Sequence, residues 1–362
     1  LANTACQMNL RGGNDKISPD LYDAMLFALE QNELLGGRML KDAPFKSFTI
    51  DADNRIVTIG DDGSIIMHRI LSNGEIQSAA YDNNNQVAHT PIERAVFITP
   101  TLVAYSTKDR NSYVLDTYAK VHPHLPVHND YIQAASLSPD QNKFVVAYTK
   151  GVVEMMYMKS LDKPHAVHNF DTKISDIYFH GDNEVYVLCH NGSLKKWNYD
   201  NDVVSDVLSP CNDKNSFKMA AIPDKNLLAV CNSDGYIQFV NLDDDTPAQT
   251  MAGAHSKLEN ILYDQRTGIL ASSSADMRIA LINTNDFNER PLVIEEHSIG
   301  NRKIKCMGFN DKGVLFVMTD DNKMYLLDTD PVIYARTLFA LNLAPLSPTE
   351  WDLILGREFS EK

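Results

Sequence analysis

Long apolar runs are missing from this 362-residue chain. No segment approaches the about 18 to 20 consecutive apolar residues a membrane-spanning helix needs, so direct insertion is not expected, and no secretory leader is evident. Cysteine is scarce, five residues with no Cys-x-x-Cys. Cys189, Cys231 and Cys306 fall in segments that alternate like strands, read as buried free thiols and favour a reducing, cytoplasmic setting. Cations are outnumbered, 33 Lys and Arg against 48 Asp and Glu, for a formal charge of −15. A phosphate backbone must be met by clustered cations, so neither nucleic acid nor an anionic membrane surface is an expected partner. A local basic patch can coexist with that average.

Catalytic signatures are missing as well. The chain has no Gly-x4-Gly-Lys-Ser/Thr phosphate loop, no His-Glu-x-x-His and no Gly-x-Ser-x-Gly elbow. No enzyme and no cofactor is expected, and any ATPase activity belongs outside this chain. His122, His124 and His128 share one loop, but Pro123 and Pro126 hold it extended, and zinc sites bring Cys or carboxylate partners, so no metal is expected there. Asp243-Asp244-Asp245 lacks the spacing of a calcium loop. Asn191-Gly192-Ser193 is formally a glycosylation site, yet it occupies a tight hairpin turn.

What is present is a repeat. Every 41 to 47 residues or so, an apolar strand, a tight polar turn and a second strand recur. The clearest copy runs from Leu270 to Asn283 around Ala275-Asp276-Met277, with period-two alternation on both sides. The same frame fits Leu227 to Asn241 around Ser233-Asp234-Gly235, Val185 to Asn198 around His190-Asn191-Gly192, and Ile56 to His68 around Asp61-Asp62-Gly63. Weaker copies turn at Lys108-Asp109-Arg110, Lys150-Gly151 and Asp320-Asp321-Asn322, which makes seven. A preceding alternating segment adds a third strand to each copy, and segments such as Glu75 to Tyr81 and Pro247 to Met251 add a fourth. Seven four-stranded antiparallel sheets leave short, protected edges only when stacked radially. The expected fold is all-β, a seven-bladed β-propeller over 43–330. A composition of 44% apolar and 22% charged residues suits one packed globular unit of that size.

Over roughly 43–330 the residues resemble the WD-repeat propellers. His128, His168, His255 and His297 stand at that family's Gly-His position, and Asp62, Asp234, Asp276 and Asp321 at its turn Asp. Trp197-Asn198 holds the Trp-Asp slot, which elsewhere reads Leu115-Asp116, Val240-Asn241, Ile282-Asn283 and Leu327-Asp328. The resemblance implies a His, Ser/Thr, Asp and Trp tetrad that stiffens a blade. Blade six comes closest, with His255, Ser272 or Ser274, and Asp276, but Ile282 replaces the Trp. Apolar packing should therefore replace part of that network.

Helical flanks of 1–42 and 331–362 are expected. Ser18 can cap a helix over 18–33 with Pro19 in its first turn and Leu21, Ala24, Met25, Ala28 and Leu29 as its apolar stripe. Gly12-Gly13 separates it from a shorter helix over 2–10, and Gly36-Gly37 ends it. Ser347-Pro348-Thr349-Glu350 forms a capping box before Trp351, Ile354 and Leu355. Val332 to Ala340 reads as a helix or as the strand that closes blade seven. The flanks resemble those of WD-repeat regions in bacterial signalling proteins, especially of the Bacteroidetes, downstream of STAND-type nucleotide-binding domains. Asn9 to Gly13, Pro19 to Ala24 and Pro345 to Trp351 carry that likeness. The chain begins at Leu1 without methionine, which suggests a processed form or a fragment.

The propeller resemblance also implies that the residue before each first strand projects at the top rim of the central channel. Those positions map to Pro44, Pro91, Tyr131, Lys173, Ser216, Lys257 and Lys303, with Arg302 beside the last. Second-hairpin turns on the same face add Lys108, Arg110, Lys150 and Arg278 against Asp62, Asp234 and Asp321. Tyr131 offers an aromatic anchor in a basic rim suited to an acidic or phosphorylated peptide. In the competing reading these cations are solvated and paired with nearby acids. The expected function is a non-catalytic protein-protein interaction module, the sensor or scaffold of a larger signalling protein that also has a nucleotide-binding domain. The alternatives are a propeller enzyme with a small-molecule site at the channel mouth and an envelope-associated structural protein.

Overall fold

The computed structural model describes residues 18–31, 38–39, 45–50, 55–60, 64–71, 76–80, 90–99, 101–116, 123–126, 128–209, 218–253, 256–330 and 332–334. Alternating segments rich in Val, Ile, Leu and aromatics pair into seven antiparallel sheets. Six have four strands. The remaining sheet has three strands, Ile92–Phe97, Leu102–Thr107 and Ser112–Asp116, and a bridge from Tyr113 to His124 stands at the place of a fourth. The inner strands are Phe45–Ile50, Ile92–Phe97, Ile132–Leu137, Ile174–His180, Met219–Ile222, Leu258–Asp264 and Ile304–Phe309. Each packs against the next and the seventh against the first. The fold is a seven-bladed β-propeller.

Sequence periodicity explains where the core lies. Strands buried on both faces give seven apolar clusters, one between each pair of adjacent blades. Blades three and four meet through Val145, Met155, Ile177 and Val187. The ring is closed by a strand from the N-terminal side, and of the two readings of Val332 to Ala340 the described residues follow the helix. Arg38–Met39 pairs antiparallel with Lys323–Asp328 as the outer strand of blade seven, whereas 332–334 is helical. Closing one blade with both ends of the chain ties the ring shut, because opening it then requires breaking a ladder.

The helix Pro19–Gln31 starts where its chemistry dictates: the Leu21 N–H donates to Ser18 Oγ at 3.3 Å. Its buried face is Tyr22, Met25, Leu26 and Leu29, a stripe turned slightly from the expected one, with Leu21 and Ala24 packed at its margin. These side chains seat between blades six and seven against Ile279, Ile294, Ile299, Tyr325 and Tyr334. Tyr22 and Tyr334 stand 5.8 Å apart, ring centre to ring centre. Burial of four such side chains contributes roughly 1.5–3 kcal/mol each. The expected 2–10 helix, the glycine pairs and the Ser347–Glu350 box with Trp351 lie outside the described residues.

Blade stiffening differs from the family tetrad. The buried Trp197 donates its Nε1–H to Asp202 Oδ1 at 2.9 Å, and His168 Nδ1 lies 2.8 Å from the same oxygen. The acid is therefore in the turn after the Trp strand, and it ties blade four to the outer strand of blade three. Among the hairpin turns, Thr107, Ser274 and Thr319 each donate a hydroxyl hydrogen bond to the Asp two residues on, Asp109, Asp276 and Asp321. In blade six Ser274 thus takes the role open to Ser272 or Ser274; Ser272 Oγ faces the Gly253 carbonyl at 3.5 Å, and Ile282 is buried in the Trp slot. Asp234 is half-buried, its N–H donating to Asn232 Oδ1 at 3.0 Å. Asp62 and His255 lie outside the described residues.

Cys189 and Cys231 are buried free thiols and Cys306 a half-buried one, each on a strand as expected. Burial pushes the Cys189 and Cys306 thiols up. No helix among the described residues is long and apolar enough to cross a membrane.

Candidate functional site: the basic rim

One recurring hydrogen bond places the candidate rim residues on a single face. In five blades the N–H two residues before the left-handed position of the second hairpin turn donates to the carbonyl of the residue just before the inner strand. The pairs are Lys108 to Pro91 (2.9 Å), Thr149 to Tyr131 (2.9 Å), His190 to Lys173 (2.8 Å), Ala275 to Lys257 (2.8 Å) and Asp320 to Lys303 (2.9 Å). Both residue sets therefore ring the same end of the channel. Ser216 in blade five and Pro44 in blade one lie outside the described residues.

Blades two to four bring several of the expected residues together. The Arg110 guanidinium lies over the Tyr131 ring, 5.7 Å from its centre. Arg110 Nη1 donates to Asn129 Oδ1 at 3.1 Å and to the Asn129 carbonyl at 3.4 Å, and Lys150 Nζ reaches that carbonyl at 3.4 Å. The Tyr131 hydroxyl faces the Lys108 carbonyl at 3.5 Å. The next blade abuts this cluster: a Cβ on Gly151, whose φ is +114°, would meet the Thr172 carbonyl at 2.5 Å, just before the exposed Lys173. Among the described residues no carboxylate lies within ion-pair reach of Lys108, Arg110, Lys150 or Lys173. The local acids serve the backbone instead. Thr107, with Asn111, holds the Asp109 carboxyl below its usual range, and the buried Asp130 accepts from Thr149 Oγ1 and the Lys150 N–H.

In blades five to seven cations lie beside carboxylates. Lys218 Nζ lies 3.6 Å from Asp176 Oδ1, Lys303 Nζ 3.5 Å from Glu259 Oε1, and Arg302 Nε 3.6 Å from Asp321 Oδ2. Arg278 is taken up more fully, with Nε 2.6 Å from Glu295 and 3.1 Å from Glu296. Desolvation works against its charge, but the two glutamates hold the guanidinium above its ordinary pKa. Lys257 is half-buried.

A channel-side bulge supplies the acid of one of these pairs. In six blades the ladder skips the second residue of the inner strand, namely Lys46, Glu93, Gln133, Ser175, Glu259 and Lys305. Such a residue can reach the next blade: Gln133 Nε2 donates to the Ser175 carbonyl at 3.2 Å, and Glu259 meets Lys303. The exposed Tyr236 on the blade-five turn and Asn129 belong to this face, and no motif marks either in the sequence.

The two described histidines of the 122–128 loop have separate partners. His124 packs on Tyr113 at 4.2 Å, and His128 Nε2 sits 2.7 Å from the buried Glu154 without hydrogen-bond alignment. His122 lies outside the described residues, among which no cluster of three metal-ligating side chains occurs. No family model matches the chain, and no curated protein matches its sequence.

Proposed function

We propose that this propeller is a non-catalytic protein-interaction module whose top rim binds an acidic segment of a partner protein. A β-propeller is a frequent interaction scaffold, and the observation that carries the proposal is that Lys108, Arg110, Lys150 and Lys173 on blades two to four have no carboxylate partner among the described residues. In a chain with a formal charge of −15, such a patch attracts an anionic segment while the remaining surface repels it. Tyr131 adds a rigid aromatic contact next to the cations. The resemblance of the flanks to those of STAND-associated WD-repeat regions supports a sensor or scaffold role in a larger bacterial signalling protein with a nucleotide-binding domain elsewhere.

Fluorescence polarisation with a labelled Glu-rich peptide tests the reading. The intact chain should bind, and a Tyr131→Ala, Lys173→Glu, Lys257→Glu, Lys303→Glu variant of matched thermal stability should not. Absence of binding by the intact chain at low salt, or equal binding by the variant, defeats it.

A further inference from the structure

Within that reading, on which this inference rests, we infer that Arg110 is a preorganised clamp for a phosphorylated side chain of the partner, with Lys108, Lys150 and Lys173 around it.

The backbone points first to Arg110. Its turn position is left-handed in every blade where it is described: Gly151, Gly192 and Gly235 at φ 114°, 84° and 84°, Asn322 at 62°, Met277 at 69° and Arg110 at 66°. Glycine and asparagine occupy that region readily, and other residues do so against steric resistance. Met277 is compensated, because its side chain packs against the cluster between blades six and seven. Arg110 is exposed and enters no apolar cluster. Its contacts are the Asn129 amide oxygen, the Asn129 carbonyl and the face of Tyr131. A strained residue with no return in core packing points to a role in binding.

The guanidinium is fixed in a useful way. Nη1 is held by Asn129 and the group lies over the Tyr131 ring, so the orientation is set before a ligand arrives. The Nε and Nη2 donors make no hydrogen bond among the described residues, and together they form the fork that takes two oxygens of one anion. Lys150 Nζ shares the Asn129 carbonyl with the guanidinium, and a second cation beside the fork favours a dianionic phosphate over a singly charged carboxylate. The patch is also bounded: Asp276, Glu295, Glu296 and Asp321 lie farther round the rim. Those acids repel an extended polyanion, so a single phosphate on a peptide fits better than a nucleic-acid strand.

The test is polarisation with the full chain and two labelled peptide pools that are identical except for a central phosphoserine or Asp. The phosphoserine pool should bind about tenfold tighter. Arg110→Gly should remove most of that margin while leaving Tm equal or higher, because glycine relieves the left-handed turn. Arg110→Lys keeps the charge without the fork and should fall between, and Lys303→Glu should bind like the parent. Equal binding of the two pools, an unaffected Arg110→Gly variant, or a labelled oligonucleotide binding as tightly as the phosphopeptide each overturns the clamp. If the Glu-rich peptide still binds in those cases, only the clamp fails; if neither peptide binds, the rim reading fails with it.

Discussion

The rim sector of blades two to four and the sector of blades five to seven carry the same residue types to opposite effect. Lys173 and Lys303 occupy equivalent positions, each lending its carbonyl to the turn of its own blade. Lys303 meets Glu259, the bulged residue of blade six; the corresponding residue of blade three is the neutral Gln133, which spends its amide on the Ser175 carbonyl. One rim lysine thus meets an acid on the bulge of the preceding blade, whereas the bulge before its counterpart carries a neutral side chain whose oxygen accepts from Arg94. Turn acids divide in the same way, since Asp109 is held by its own threonine and asparagine whereas Asp321 also lies near Arg302 and Lys323. Net charge is uninformative about either sector; local pairing fixes both.

The largest expected effect comes from reversing charge in the unpaired sector. Lys173→Glu should weaken a labelled acidic peptide by about tenfold or more, and Lys303→Glu by less than about twofold, since only the first removes an available cation. Equal losses in a polarisation titration would erase the distinction between sectors. Arg278→Ala should act on stability. It leaves Glu295 and Glu296 facing each other without their counter-charge, a loss of about 1–3 kcal/mol in urea unfolding with peptide affinity unchanged. Glu295 has the more to lose, because burial and its neighbour Glu296 already push its carboxyl up against the pull of Arg278.

Exchanging the bulge residues sharpens the comparison. Gln133→Glu supplies blade three with the acid that blade six has, and should weaken the peptide about two- to fivefold; Glu259→Gln should tighten it up to about twofold, the range of exposed ion pairs. If Gln133→Glu leaves affinity untouched, the bulge does not control the neighbouring lysine.

Much of the ring was legible in the sequence because hairpin chemistry is local. Asn191-Gly192 and Ser233-Asp234-Gly235 between alternating strands mark their turns whatever the rest of the chain does. The closing strand was not legible: Arg38–Met39 is two residues long, too short to show a period. Nor was the helix face fully so, since Tyr22 and Leu26 are buried by contacts with blades six and seven that no local pattern encodes. The rim was legible as a set of basic residues. Its division was not, because pairing depends on contacts between residues distant in sequence, as with Glu259 and Lys303, some 40 positions apart and on neighbouring blades.

The smallest expected effect is the dependence of one sector's ion pairs on pH. Burial opposes the charge on Asp321, yet the Thr319 hydroxyl and Lys323 hold its carboxyl below the usual range. A carboxyl with a depressed folded pKa stabilises above its unfolded pKa of about 3.9 and loses that contribution as pH falls through the folded value. Asp321→Asn should therefore cost under about 1 kcal/mol at pH 7, discounted for solvent screening, and nothing near pH 2. Asp109→Asn should follow the same acid profile through its Thr107 bond, but no cation depends on it for an ion pair among the described residues. Raising salt at pH 7 should consequently shrink the Asp321→Asn difference in Tm and leave that of Asp109→Asn nearly unchanged, because screening weakens ion pairs and spares a hydroxyl hydrogen bond. Equal salt sensitivity of the two variants would mean that Asp321 is held by its own turn alone and that Arg302 is as available to a ligand as Arg110.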